Sequence, residues 1–298
     1  YKFQGSPKQS KLLNKKVMMN FNLNNETNFL KSKADIASSI QKIFEEKLLL
    51  IIKKINKINY SKNLVYAGGC ALNSLANRKI HESKIFKKIF IPYAPGDGGG
   101  SIGAALTIAN KKYKYKSIRN LSTPYIGPKY DNYEILEYIK KNNKLKKLSI
   151  KIYKNKNILF KNIAYSLYKN KIIGYFNGKM EFGARALGNR SILANPCNPK
   201  IKDIINKKIK RRENFRPFAP AILEENKFEW FNNKYQNPYM SSVELIIEKK
   251  RKFIPAVTHI DGTGRVQTVS KKINFDFYSI IKKFRLLSGV PIILNTSF

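Results

Sequence analysis

Cysteine, histidine and acidic side chains are scarce in this 298-residue chain, and each scarcity removes a class of function. Its two cysteines, Cys70 and Cys197, lie far apart in unlike surroundings, and its two histidines are His81 and His259. No disulfide framework and no Cys/His zinc site can be assembled from that inventory. The longest apolar run, Leu48 to Ile52, is far too short to span a bilayer, which takes about 20 such residues, so no membrane partner is expected. No signal-peptide pattern opens the chain, and a reducing cytoplasm is the default location. Tyr1 stands where a methionine would, and Phe298 closes an apolar run, so both ends read as cuts through a longer protein.

Only 19 acidic residues face 58 lysines and arginines, for a formal charge of +39. Such an excess ordinarily points to nucleic acid or an anionic surface. Here it is mostly lysine, scattered with Asn, Ile, Tyr and Phe through KKINKIN, KKNNKLKKL and YKNKN. That is compositional drift over a solvated surface rather than one basic face, and nucleic acid is not expected as a partner.

What is present is an alternation of strand and helix signals. Residues 32–58 carry Ile36, Ile40, Ile43, Phe44, Leu48, Ile51 and Ile52 at helical spacing. The strand-like NLVYAGG ends in paired glycines and is followed by the helical ALNSLANRKI. KKIFIPYAP, the turn GDGGG and the small-residue helix SIGAALTIANKKY repeat that plan. The alternation predicts an α/β class. Two prolines and lost periodicity in KSIRNLSTPYIGPKYDNY place a boundary near Leu121, giving domains at 1–120 and 121–298. In the second, helices are predicted in YEILEYIKKNN, ILFKNIAYSLYKN and FYSIIKKFRLLSG. Strands are predicted in LSIKIYK, IIGYFNG, FIPAVTHI, RVQTVS and VPIILNT.

Gly98, Gly100 and Gly103 form G-x-G-x-x-G, but no acid follows about twenty residues on, which argues against a dinucleotide site. Glycines 98–100 would still let backbone N–H groups approach phosphate oxygens, with Asp97 placed to hold a metal against them. A tight turn capped by Asp97 is the competing reading. Gly68 and Gly69, followed by Asn73, make a second close-approach turn. Between Gly178 and Pro220, Arg185, Arg190 and Arg216 sit among small and apolar residues in GKMEFGARALGNRS and IKDIINKKIKRRENFRPFAP. An arginine in such surroundings must be partnered, because its charge cannot be removed by deprotonation. Arg185, Lys210 and Arg216 could converge on a carboxylate or phosphate, or be paired internally with Glu181 or Glu213. Arg265, just after a glycine turn, and Asn295, Thr296 and Ser297, at the end of a strand, extend the anion-site reading. No nucleophile-base pair accompanies them, so the implied chemistry is positioning and charge neutralisation.

AGGCALNSLAN, APGDGGGSIGAAL, GKMEFGARALGNRS, IKRRENFRPFAP, HIDGTGRVQTV and the terminal NTSF, in that order, resemble the carbamoyltransferase family of nodulation-factor, cephem and aminoglycoside O-carbamoyltransferases. The likeness runs from about residue 32 to the end. It implies part of an actin/sugar-kinase-like (ASKHA) domain followed by a YrdC-like domain. It also implies use of carbamoyl phosphate and ATP with Mg2+ to make carbamoyl-adenylate, and carbamoyl transfer to the hydroxyl of a small molecule. By the same resemblance, Arg185, Lys210, Arg216, Arg265, Asn295 and Ser297 match the carbamoyl phosphate and adenylate site. Asp97 matches a divalent-metal ligand, Fe2+ in the family, beside the nucleotide-binding Gly68, Gly69, Asn73, Gly98, Gly99 and Gly100. Three departures stand out: Ala184 in place of the family's proline, no histidines in the metal-binding motif, and a chain that stops within NTSF. A factor of tRNA threonylcarbamoyl-adenosine synthesis, which uses related domains, is the alternative.

Overall fold

Strand–helix alternation gives the chain a mixed α/β architecture. The computed structural model describes residues 26–58, 61–113, 123–143, 145, 148–233 and 235–298. The chain divides into two units, Tyr1–Ser61 with Ser83–Ile85, and Lys62–Glu82 with Phe86–Phe298. In the first, the predicted helix is present as α1 (Glu26–Ile58). No helix among the described residues is long and apolar enough to cross a membrane.

The second unit opens with β1 (Asn63–Val65), a 3-10 turn at Gly69–Leu72, α2 (Ser74–Glu82), β2 (Lys88–Phe90) and α3 (Asp97–Tyr113). β1 and β2 pair in parallel, as a strand–helix–strand unit requires. GDGGG departs from its predicted form as a turn before the helix: α3 begins at Asp97, so Gly98, Gly99 and Gly100 lie in its first turn. Packing explains this, since a Cβ on Gly99 would stand 2.0 Å from the Ala94 carbonyl oxygen. The helix can start there only because the side chain is missing.

α4 (Asn132–Lys141) starts at a capping box, in which Asp131 accepts from the Glu134 N–H and Glu134 accepts from the Asp131 N–H. α5 (Lys156–Tyr168) follows. Two predicted strands are absent. LSIKIYK forms none: Leu148, Ile150 and Ile152 alternate correctly but lie 60%, 49% and 69% exposed and pair with no strand among the described residues. FIPAVTHI instead holds a 3-10 turn at Pro255–Val257, because proline cannot donate to a sheet ladder.

The main sheet runs β3 (Ile173–Phe176), β4 (Arg190–Ala194), β9 (Ile292–Thr296), β5 (Ala219–Leu223) and β8 (Gln267–Val269) in spatial order, with only β5 and β8 parallel. Between them in sequence come the short α6 (Ile201–Ile204), which runs into a π-helical turn at Ile205–Lys210, then the β6–β7 ribbon (Glu244–Leu245, Thr263–Gly264) with α7 (Glu248–Arg251) inside it, and finally α8 (Phe275–Ser288). The central strands are buried on both faces: Leu193, Ala221, Ile222, Leu223, Ile292, Ile293 and Leu294 are all inaccessible. α5 and α8 pack on each other and into the same core through Phe160, Leu167, Phe277, Ile281 and Phe284. A smaller cluster of Tyr93, Ala94, Leu187, Ala219, Tyr239 and Met240 brings the β2–α3 connection against the 182–187 loop.

Lys227 and Glu244 are both buried and form an ion pair at 2.9 Å. The ammonium also donates to Asn233 Oδ1 at 2.8 Å and to the Tyr235 carbonyl, and Asn237 Nδ2 donates to Glu244 Oε1 at 3.1 Å. Burial opposes both charges, and the pairing opposes burial. Lys227→Met leaves a buried carboxylate without its cation, so urea unfolding is expected to show a loss of about 3–5 kcal/mol. Lys227→Met combined with Glu244→Leu is expected to cost less than the single change.

Candidate anion-binding site

The loop from Glu181 to Arg190 is folded around a carboxylate. Glu181 is buried, and its Oε1 accepts from the backbone N–H groups of Leu187, Asn189 and Arg190 at 2.8, 2.7 and 3.2 Å. The loop carbonyls are held from the other side: Leu187 O accepts from Tyr125 OH at 2.8 Å and Gln267 Nε2 at 2.7 Å, and Ala186 O from Asn295 Nδ2 at 3.1 Å. Gly183 makes the entry possible, with φ +128° and the Tyr93 carbonyl oxygen 2.4 Å from where a Cβ would lie. Glu181 is thus used on backbone amides and forms no ion pair with Arg185. Arg190 is satisfied by the carbonyls of Asn177, Asn189, Pro128 and Gly178 and lies 3.5 Å over the Phe176 ring, so it holds the loop and is not available to a ligand.

Arg185 donates to the Leu72 carbonyl at 3.0 Å and has no carboxylate partner among the described residues. Arg265 Nε is buried without a hydrogen-bond partner among the described residues. Burial pushes the Arg265 guanidinium down to about 10, and the neighbouring charges of Arg185 and Arg212 add to this. It stays charged at neutral pH. Lys210 donates to Ser297 through the backbone carbonyl and through Oγ, the latter at 3.1 Å; burial first and Arg212 second lower its pKa. Asn295 also donates to Gln267 Oε1 at 2.8 Å, while its buried Oδ1 has no partner. Arg185, Arg265, Arg212 and Lys210 therefore adjoin one another electrostatically, with Asn295 and Ser297 bonded to the same loop and lysine. Arg216 differs: it is half exposed and pairs with Glu213 at 2.9 Å, the internal pairing that sequence left open. Arg212 escaped the sequence reading, because nothing in RRENFR separates it from Arg211.

The glycine turns frame a separate cavity of about 520 Å³ lined by Gly68, Asp97, Gly99 and Gly100 together with Phe90, Pro92, Tyr93, Ile102 and Leu106. Gly69, Gly98 and Asn73 do not line it; Asn73 caps α2 by accepting from the Ala76 N–H at 3.0 Å. Asp97 is exposed, and no group of three or more His, Cys, Asp or Glu side chains suited to a metal occurs among the described residues.

His259 lies in the turn leading to Arg265. Its Nδ1 is 3.0 Å from Thr263 Oγ1, whose hydroxyl donates to Asp261 Oδ1 at 2.7 Å.

A mixed α/β fold that gathers three arginines and a lysine, two of the arginines and the lysine without a carboxylate against them, defines a protein suited to a di- or polyanion. Family models named Carbamoyltransferase N-terminus and Carbamoyltransferase C-terminus match residues 7–106 and 164–298. The chain is 37% identical to Nodulation protein NolNO of Sinorhizobium fredii over 91% of its own length and 40% of that protein's. It is 36% identical to Nodulation protein NolO of Bradyrhizobium diazoefficiens over 91% of its length and 49% of the relative's. An uncharacterized protein of Methanocaldococcus jannaschii is 36% identical over 89% of this chain and 43% of its own. The chain belongs to the carbamoyltransferase family, and it spans about two fifths to one half of the length of these relatives.

Glu181→Gln removes the charge that the three amides point at, and a loss of about 1.5–3 kcal/mol is expected in denaturant unfolding. The His259 prediction concerns pH. Burial, helped by Arg265 and Lys202 and opposed by Asp261, holds the imidazole at about 4 in the fold, against about 6.5 unfolded. The unfolded chain therefore binds the proton first, so the contribution is intact above pH 6.5 and is lost as pH falls towards 4. The full loss is on the order of 3 kcal/mol. Thermal midpoints measured from pH 7 to 4 should fall less steeply for His259→Gln.

Proposed function

We propose that this chain carries the site that makes carbamoyl-adenylate from carbamoyl phosphate and ATP, for O-carbamoylation of a small-molecule hydroxyl, and that it does so in the cytoplasm. The observation that carries the reading is the Arg265 guanidinium, charged, with Nε buried and unpartnered, beside Arg185 and Arg212. A cation left so by the fold has its counter-charge supplied from outside. The matched carbamoyltransferase models supply the chemistry of the group transferred. Phosphates are the anions that join such a group to a nucleotide. On this reading, residues 121–298 form the YrdC-like domain and residues 1–120 part of an actin/sugar-kinase-like one.

Arg185, Lys210 and Arg265 would hold phosphate oxygens while a carbamoyl oxygen attacks the α-phosphorus of ATP and pyrophosphate leaves. Carbamoyl-adenylate keeps only the carbamate, so water must first cleave the O–P bond of carbamoyl phosphate, which releases inorganic phosphate and leaves the carbamate oxygen that makes this attack. The residues act by orientation and by offsetting charge that builds on the phosphoryl oxygens, and none of them exchanges a proton. Asn295 holds the arginine loop through its amide and directs Oδ1, still unpartnered, as an acceptor for a ligand N–H such as that of a carbamoyl group. Mg2+ would accompany the triphosphate as its counterion. A second divalent metal at Asp97 fits less well: a single exposed carboxylate, with no other metal-ligating cluster among the described residues, cannot hold it.

Exchange of labelled pyrophosphate into ATP, dependent on carbamoyl phosphate, tests the reading. Arg265→Ala and Lys210→Ala are each expected to lower it roughly 100-fold, and Lys249→Ala, on an exposed helix, to leave it unchanged. Exchange by wild type that is indifferent to Arg265→Ala would sink the assignment.

A further inference from the structure

The π-helical turn ends on Lys210, the loop after it carries Arg212 and Arg216, and one buried amide organises both. Asn206 is inaccessible to solvent. Its Oδ1 accepts from Arg212 Nε at 2.7 Å and its backbone oxygen from the Arg212 N–H at 3.1 Å. Its Nδ2 donates to the carbonyls of Arg216 at 3.0 Å and Asn214 at 3.4 Å. Arg211 adopts φ +47°, a left-handed conformation that ends the π-helical turn, and its side chain is exposed while that of Arg212 is drawn onto Asn206. The Arg212 guanidinium lies 4.9 Å from the centroid of the Phe218 ring. Its Nη2 reaches the Pro217 carbonyl only at 3.5 Å, and Nη1 makes no hydrogen bond among the described residues.

A guanidinium tied at Nε and laid against an aromatic ring presents its Nη edge in a fixed direction, the geometry that suits two-point contact with a phosphoryl group. The charges next to it are alike: Lys210 and Arg265 feel Arg212, Arg212 in turn feels Arg216, and Glu213, the opposing charge, is engaged by Arg216. We propose that Arg212, oriented by Asn206, is a further anion-binding residue of this site and contacts a phosphoryl oxygen of the bound di- or triphosphate alongside Lys210 and Arg265. The proposal rests on the reading of the site as one for nucleotide phosphates. A role confined to pinning the loop is the competing account, and it differs in what binding should do.

The probe is inorganic pyrophosphate, titrated calorimetrically into the whole chain at several salt concentrations. Arg212→Gln is expected to weaken binding roughly 10- to 100-fold and to flatten its salt dependence, because one charge facing the ligand is gone. A merely structural residue would instead lower the thermal midpoint and leave the affinity of the folded fraction within twofold of wild type, with the salt dependence unchanged; that result overturns the proposal. If Arg212→Gln does not fold, Arg212→Lys decides. An ammonium cannot hold Asn206 and a phosphate at once, so severalfold weaker binding is expected, and affinity within twofold of wild type overturns the proposal. The two readings fail separately. Wild-type chain that binds pyrophosphate through Arg212 but shows no carbamoyl phosphate-dependent exchange refutes the adenylation reaction and supports Arg212 as a ligand residue. Exchange by wild type together with pyrophosphate binding indifferent to Arg212 refutes the second alone.

Discussion

The Glu181 carboxylate is the constraint on which the site depends. One buried oxygen accepts three backbone N–H groups, which bends residues 187–190 into a tight arc, while Tyr125, Gln267 and Asn295 hold the carbonyls of the same loop. A loop satisfied on both sides has no need of Arg185 for its own stability, so the guanidinium remains available with a single carbonyl contact at Leu72. Had Glu181 paired with Arg185, the loop amides would be orphaned and the positive charge cancelled. The same carboxylate thus sets both the shape of the loop and the sign of the potential above it.

The second unit treats its buried cations in two opposite ways. Lys227 is sealed with Glu244, two asparagines nearby and a carbonyl, so its charge is answered within the fold. Arg185 and Arg265 are partly or largely withdrawn from water with no carboxylate partner among the described residues, and like charges adjoin them. Leaving cations so costs folding free energy. Arginine is the residue that tolerates this, because its pKa, even when pushed down to about 10, keeps it charged at neutral pH. Lysine occurs in the cluster only at Lys210, which is less buried and leans on Ser297.

Much of the fold was legible from local pattern. The helices α1, α4, α5 and α8 and the strands β3, β8 and β9 lie where periodicity and turn residues put them. What escaped was decided by neighbours. β5 runs APAIL through the middle of the sheet although Pro220 lacks an N–H, a feature that ordinarily argues against a central strand; its burial between β9 and β8 outweighs the missing donor. LSIKIYK has the alternation of a strand but no strand to pair with among the described residues, and alternation alone makes no hydrogen bonds. GDGGG reads as a turn, yet the Ala94 carbonyl accepts a helix against it because Gly99 has no side chain.

For the site, sequence alone determined which side chains had to find partners: arginines set among small and apolar residues carry a charge that cannot be shed, and that is a property of the residues themselves. Which partner each one found was decided by tertiary structure. Glu181 turned to backbone amides and not to Arg185, Glu213 took Arg216 at the surface, and Asn206 singled out Arg212 from its neighbour Arg211. The contacts that settle this join Arg185 to Leu72 and Lys210 to Ser297, across 113 and 87 positions of chain. Periodicity reports only on residues a turn or a pleat apart, so separations of that size leave no trace in the pattern, and the pairing exists only once the sheet brings its strand ends together.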